Sequence, residues 1–155
     1  MSNSVEPHKS SIGDTNANII AMVTYIASVI IAFIPYVQWF SWIVPLIFFF
    51  MEKNSPFVKF HAMQSTLLHI VSAIFSLIFS IITWVIISSN PWYAYGSLFL
   101  GGGGPLLILS IFGLIVTIVI AILAVLAMYN AYMYKAYHIP ALGNLADKFM
   151  AKSGG

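Results

Sequence analysis

The chain has 155 residues, 61% of them hydrophobic and only 6% charged, with a formal net charge of +2 and no cysteine. Soluble domains carry about a quarter charged residues, so this chain cannot cover a water-facing surface, and lipid must be the solvent for most of it. Six lysines dispersed against four acids exclude a nucleic-acid footprint, and the absence of cysteine excludes disulfides, thiolate metal sites and a Cys nucleophile.

Residues 1–16 are rich in Ser and Asn and show no apolar periodicity, so a disordered or loosely held leader without a cleavable signal is expected, with Thr15 or Asn16 capping the first helix. From Ala17 to Met51 the chain is almost continuously apolar. As one straight helix it would measure about 52 Å, against a hydrocarbon core of about 30 Å. Pro35 and Gln38, flanked by Tyr36 and Trp39, therefore mark an interfacial turn in a hairpin of Ala17 to Ile34 and Val37 to Met51. The second arm carries Pro45 and is expected to be kinked, tilted or only partly inserted.

Glu52 to Ser65 is a densely polar island between apolar blocks. Ser55 suits an N-cap and Pro56 a first helical position, so a helix is expected to start there, with Ala62 to Ile87 as the third span. Along that span Ala62, Ser65, His69, Ser72, Ala73, Ser76 and Ser80 form a stripe of small and polar side chains, which lets helices approach closely. Ser88 to Gly104 is uncharged, aromatic and ends in four glycines, as an interfacial loop with a flexible hinge would. Pro105 opens a last span to Tyr134, and Tyr129, Tyr132, Tyr134 and Tyr137 supply an aromatic belt at its exit. In the tail, residues 135–155, Leu142, Leu145, Ala146 and Phe149 recur at helical spacing, which suits a short amphipathic helix on the membrane surface.

The expected fold is thus all-α: a polytopic four-helix transmembrane bundle over residues 17–134, its first two helices a hairpin, between a leader and a tail. With four spans, Lys9, Lys53, Lys59, Lys135, Lys148 and Lys152 fall on one side, and the opposite loops carry no charge. The positive-inside rule makes that side the cytoplasm and places both termini there. No span contains Asp, Glu, Lys or Arg, which argues against a carboxylate relay. The intramembrane polar candidates are His69, Ser72, Ser76 and Asn130, for which helix packing is the plain alternative. His61 and His69 are too far apart on one helix to share a metal, and paired carboxylates, a His-Glu-x-x-His and a Gly-x-Ser-x-Gly are all missing. No catalytic residue, cofactor or metal is therefore expected.

The run Asn18 to Tyr25, the cassette Glu52 to Ser65 and the ending from Ala131-Tyr132 through Ile139-Pro140-Ala141-Leu142-Gly143-Asn144-Leu145-Ala146 resemble a family of small prokaryotic membrane proteins of unknown function. That family is described as related to the twenty-kilodalton inner-envelope subunit of the chloroplast protein-import translocon. The resemblance implies a helical bundle and, through the distant relatives, a translocation-associated role. The leading functional expectation is a non-enzymatic membrane subunit or scaffold that packs against other membrane proteins or itself. The alternative is an oligomeric conduit for a small solute or ion, motivated by His69 beside the serines. Glu52, Lys53, Phe57, Lys59, Phe60, His61, Gln64, His138 and Leu142 are the candidate partner-docking residues, since the cassette and the tail meet at one membrane face. Phe57 and Phe60 are expected to pack on Ile139 or Leu142.

Overall fold

The computed structural model describes residues 3–34, 36–90, 92 and 104–153. Pro35, and residues 91 and 93–103 of the expected Gly-rich loop and hinge, lie outside them. The chain runs β1 (Asn3–Ser4), α1 (Ala17–Ala32), a 3-10 turn (Gln38–Phe40), α2 (Ile43–Met51), α3 (Pro56–Ser89), α4 (Pro105–Tyr132), β2 (Lys135–Ala136) and α5 (Leu142–Ser153). Among the described residues the named elements are helical apart from one antiparallel pair of two-residue strands, in which Asn3 faces Ala136 and Ser4 faces Lys135.

Helix α1 starts without a side-chain cap: Asn16 holds the N-cap position, but Ala17 N–H donates to the His8 carbonyl at 3.0 Å, and Ile19 N–H to the Asn18 side chain at 2.9 Å. This differs from the expected Thr15 or Asn16 cap because the leader folds back over the helix start. The chain reverses after Ala32, and α1 packs against both the 3-10 turn and α2, as the hairpin requires. Pro45 is the third residue of α2, in the first turn, where its missing N–H has no intrahelical acceptor to lose. The second arm is therefore divided before Pro45, at the 3-10 turn, and not kinked at it.

Helix α3 begins at Pro56 as expected, with Ser55 Oγ accepting the Val58 N–H at 3.2 Å. Its 34 residues extend about 51 Å and the 28 of α4 about 42 Å. These two helices are long and apolar enough to cross a membrane by length and composition. Helices α1 and α2 are also apolar but shorter, about 24 and 14 Å for 16 and 9 residues. Tyr134 takes a left-handed conformation (φ 54°) just after α4 and turns the chain into β2.

The chain divides into two compact units, Met1–Val71 with Ile122–Gly155, and Ser72–Ala121. The first has a core in which polar and apolar side chains are mixed: Tyr25, Val58, Leu68 and Ile139 are buried together with His61, Gln64 and Glu52. In the second, Phe79 stacks on Phe112 with centroids 5.7 Å apart and planes 17° from parallel. Its surface is apolar, with Ile74, Leu77, Ile81, Trp84, Ile108 and Ile111 exposed. The stripe expected along α3 is buried only at its start. Ser65 is buried and donates to the Thr24 carbonyl at 3.3 Å, Ser72 is half-buried, and Ser76 and Ser80 are exposed.

The leader has a defined path where a disordered or loosely held segment was expected. β1 pairs with β2, Val5 N–H donates to the Tyr134 carbonyl at 2.8 Å, and Lys9 forms a bridge with Asn16. The reason is that polar contacts order it, which an apolar-periodicity test does not register.

Gly143 marks where α5 meets the chain ahead of it: a Cβ there would lie 2.5 Å from His138 Cβ and 2.7 Å from its Cα. Because backbone stands on the other side, Gly143→Ala should destabilise the docking of α5 by about 1–3 kcal/mol. Limited proteolysis in detergent should then cleave the tail faster, while the helical circular dichroism of the rest is retained.

Candidate functional site

The cassette is built around one carboxylate. Glu52 ends α2 in an extended conformation (φ −74°, ψ 128°) and is 1% exposed. Its Oε1 accepts the N–H groups of Ser11 (3.1 Å), Asn54 (2.9 Å) and Ser55 (2.9 Å) and the Ser11 hydroxyl (2.7 Å), and its Oε2 accepts the Ser10 hydroxyl. Burial alone would raise the pKa, but these hydrogen bonds to the ionised form outweigh it and lower it from 4.5 to about 2. His8 adds a second tie. Its Nδ1–H donates to the Glu6 carbonyl at 2.8 Å, so in the neutral ring Nε2 accepts from the Ser55 hydroxyl at 2.7 Å.

A second constellation joins the cassette to α1 and the tail. Gln64 donates through Nε2 to the Tyr25 hydroxyl (3.0 Å) and the Tyr137 carbonyl (3.1 Å), and its Oε1 accepts the Ile139 N–H (3.0 Å). His61 Nε2–H donates to the Lys135 carbonyl (3.2 Å), which leaves Nδ1 to accept from Tyr25 (3.2 Å). His61 and Gln64 lie nearly one turn apart on α3, and their targets are alternate residues, 135, 137 and 139. That is the spacing of one edge of an extended chain. Two helical side chains thus satisfy the backbone of a segment whose other edge is paired with β1.

Aromatic rings close the space between. Phe57 stacks on Tyr134 (5.7 Å, 28°) and meets His61 edge-on at 4.7 Å. Phe60 packs on His138 at 4.7 Å and forms an apolar cluster with Phe49, Met63 and Ala146. The cassette does meet the tail, with Tyr134 and His138 as the aromatic partners of Phe57 and Phe60, and Ile139 held through its backbone N–H by Gln64. Glu52, Phe57, Phe60, His61 and Gln64 are all buried and engaged inside the chain. At the surface remain Lys53, the half-buried Lys59 and Leu142, and His138, which meets Asp147 at 2.9 Å.

Two of the four candidates expected within the membrane, His69 and Asn130, bond locally, while Ser72 is half-buried and Ser76 exposed. His69 Nδ1 meets the Ser65 carbonyl at 2.9 Å and Asn130 donates to the Leu126 carbonyl at 2.7 Å, each one turn back on its own helix. Among the described residues no buried side-chain N or O lacks a partner, and no group of three or more His, Cys, Asp or Glu could hold a metal ion. Sequence reasoning missed His8, Ser10, Ser11 and Tyr25. A lone acid between two apolar blocks was the available signal, because such a carboxylate needs donors from elsewhere in the chain.

The acid limb of stability follows from Glu52. Its folded pKa lies below the unfolded value, so its contribution is complete above about pH 5 and is lost as pH falls from about 4.5 through about 2. Glu52→Gln places an amide among five donors and should cost about 1–3 kcal/mol at pH 7. Thermal unfolding in detergent at pH 7 and pH 3 should show a smaller acid-induced loss in the Gln variant than in the native chain.

The profile of the Magnetosome magnetite crystal formation protein family matches residues 16–146, from the N-cap of α1 into α5. The protein named UPF0132 membrane protein MJ1443, of Methanocaldococcus jannaschii, is 28% identical over 110 residues, which are 71% of this chain and 78% of that protein. No solved structure matches the chain. With the match spanning both the hairpin and the two long apolar helices, the chain belongs to the Magnetosome magnetite crystal formation protein family.

Proposed function

We propose that this protein is a non-enzymatic, multi-pass scaffold of a prokaryotic membrane, in which leader, cassette and tail form a rigid polar cap that positions neighbouring membrane proteins. The observation that carries this reading is the closed hydrogen-bond circuit of Tyr25, His61 and Gln64 with Lys135, Tyr137 and Ile139. It ties α1, α3 and the tail together and engages the groups that chemistry would otherwise use. A catalytic or conducting role is less well supported, since His69 is engaged with Ser65. A translocation-associated variant of the scaffold role draws on the sequence resemblance alone.

The family description links its members to magnetite crystals, which raises the question of direct iron contact. The chain offers four acids. Glu52 is buried among donors, Asp14 pairs with Lys9 at 2.6 Å and Asp147 with His138 at 2.9 Å, which leaves the exposed Glu6 as a single acid outside such contacts among the described residues. This pattern supports a protein that organises the membrane around a mineral rather than one that ligates iron. In the proposed topology four helices enter the membrane and both termini and the cassette share the cytoplasmic face. Both ends of the α1–α2 hairpin return to the Glu52 clamp, in keeping with that arrangement.

The absence of native cysteine makes the topology directly measurable. Cysteines at the exposed positions Glu6, Asn54 and Lys148 should react with an impermeant maleimide from one face of the membrane, and one at the exposed Tyr36 only from the other. Labelling of Tyr36 from neither face would sink the four-span topology. Purified in mild detergent and exposed to ferrous iron, the protein should retain well under one iron per chain while holding a stoichiometric membrane-protein partner. Stoichiometric iron without a partner would overturn the scaffold reading.

A further inference from the structure

Helix α5 presents two apolar faces, and only one is covered. On the inner face Ala146 is fully buried, Met150 packs against the cluster of Phe60 and Met63, and Gly143 lies against His138. On the outer face Leu145 and Phe149, one turn apart, are 40% and 45% exposed. The exposed Lys148 and Lys152 share that side of the helix. Asp147 lies on the other flank, where its carboxylate meets His138 at 2.9 Å, so the outer stripe itself carries only the two lysine charges. An aromatic and an aliphatic side chain beside two long cations suit the boundary of an anionic bilayer: the apolar groups enter the acyl region and the lysines reach the phosphates.

We infer that the outer stripe of α5, Leu145 and Phe149 with Lys148 and Lys152, lies on an anionic lipid surface and holds the tail to the membrane. The inference rests on the membrane reading proposed above and adds the lipid class that the tail recognises. The complementarity of charge selects lipid over water, and each lysine near an anionic surface favours association about fivefold.

The test uses the full chain in vesicles of phosphatidylglycerol mixed with phosphatidylcholine, or of phosphatidylcholine alone. An environment-sensitive fluorophore is attached to a single cysteine at Phe149, Asn144 or Ile78. The label at Ile78, exposed in the apolar part of α3, reports insertion by itself. The expected result is quenching of the label at position 149 by lipid-borne nitroxide in anionic vesicles, with the label at 144 quenched mainly by aqueous iodide. Lys148→Gln combined with Lys152→Gln should bring the signal at 149 down to its level in phosphatidylcholine. Equal iodide quenching at 149 and 144, with lipid quenching intact at 78, would overturn the inference and leave the membrane reading standing. Loss of lipid quenching at 78 as well would overturn both. A label at 149 shielded from both quenchers would mean a second copy covers the stripe, and would overturn the inference too.

Discussion

A buried carboxylate has to be solvated by the protein itself, and in this chain Glu52 is where that requirement is met. Desolvating an ion costs several kcal/mol even after relaxation, and five converging donors replace the lost water. Two of those donors, the N–H groups of Asn54 and Ser55, shape the turn that makes Ser55 the cap of α3. The other three come from Ser10 and Ser11 and draw the leader across the cassette. Once the leader is there, the His8 carbonyl meets the first N–H of α1. A single charge thereby relates the start of α1, the end of α2 and the start of α3.

The tail is organised by the complementary problem, an extended backbone with no neighbouring strand on one side. A two-residue pair such as β1 with β2 is too short to be stable alone. Gln64 and His61 act as the missing strand, and Tyr25 fills the remaining valence of each. Such networks gain most when complete, because a half-satisfied buried polar group costs more than it contributes. Completeness here involves residues more than 70 positions apart, as in the 75-residue separation of Gln64 and Ile139.

What the sequence makes legible is what local chemistry determines. Ser55 followed by Pro56, and Pro105 after glycines, mark the starts of α3 and α4 as expected. The reversal after Ala32 is legible because an uninterrupted helix would have been too long for a bilayer. The leader was not legible, since periodicity reports apolar burial and its order comes from polar contacts with Glu52. Of the readings open for the second arm, the kink at Pro45 fails for want of helix register: one residue's position decides between a kink and a harmless place in the first turn. The cassette's polarity suggests a surface, whereas Glu52, His61 and Gln64 are buried. In an apolar chain the logic reverses, and Glu52, His61 and Gln64 turn inward because their partners are inside.

The same inward turn bears on how the chain would be oriented. Among the described residues the close acid–base contacts are Lys9 with Asp14 and His138 with Asp147, and Glu52 is buried among neutral donors. Every described acid except Glu6 is therefore engaged at close range. Lys53, Lys59, Lys135, Lys148 and Lys152 have no acidic partner in those pairs. A net charge of only +2 consequently understates the positive character of the cassette and tail. Under the proposed topology this is where orienting charge acts most strongly, since lysines in short segments beside membrane helices set the cytoplasmic side and acids contribute little. By taking Glu52 into its interior, the fold both joins its helices and leaves the lysines of the cassette and tail as the charges that the proposed topology sets beside the membrane.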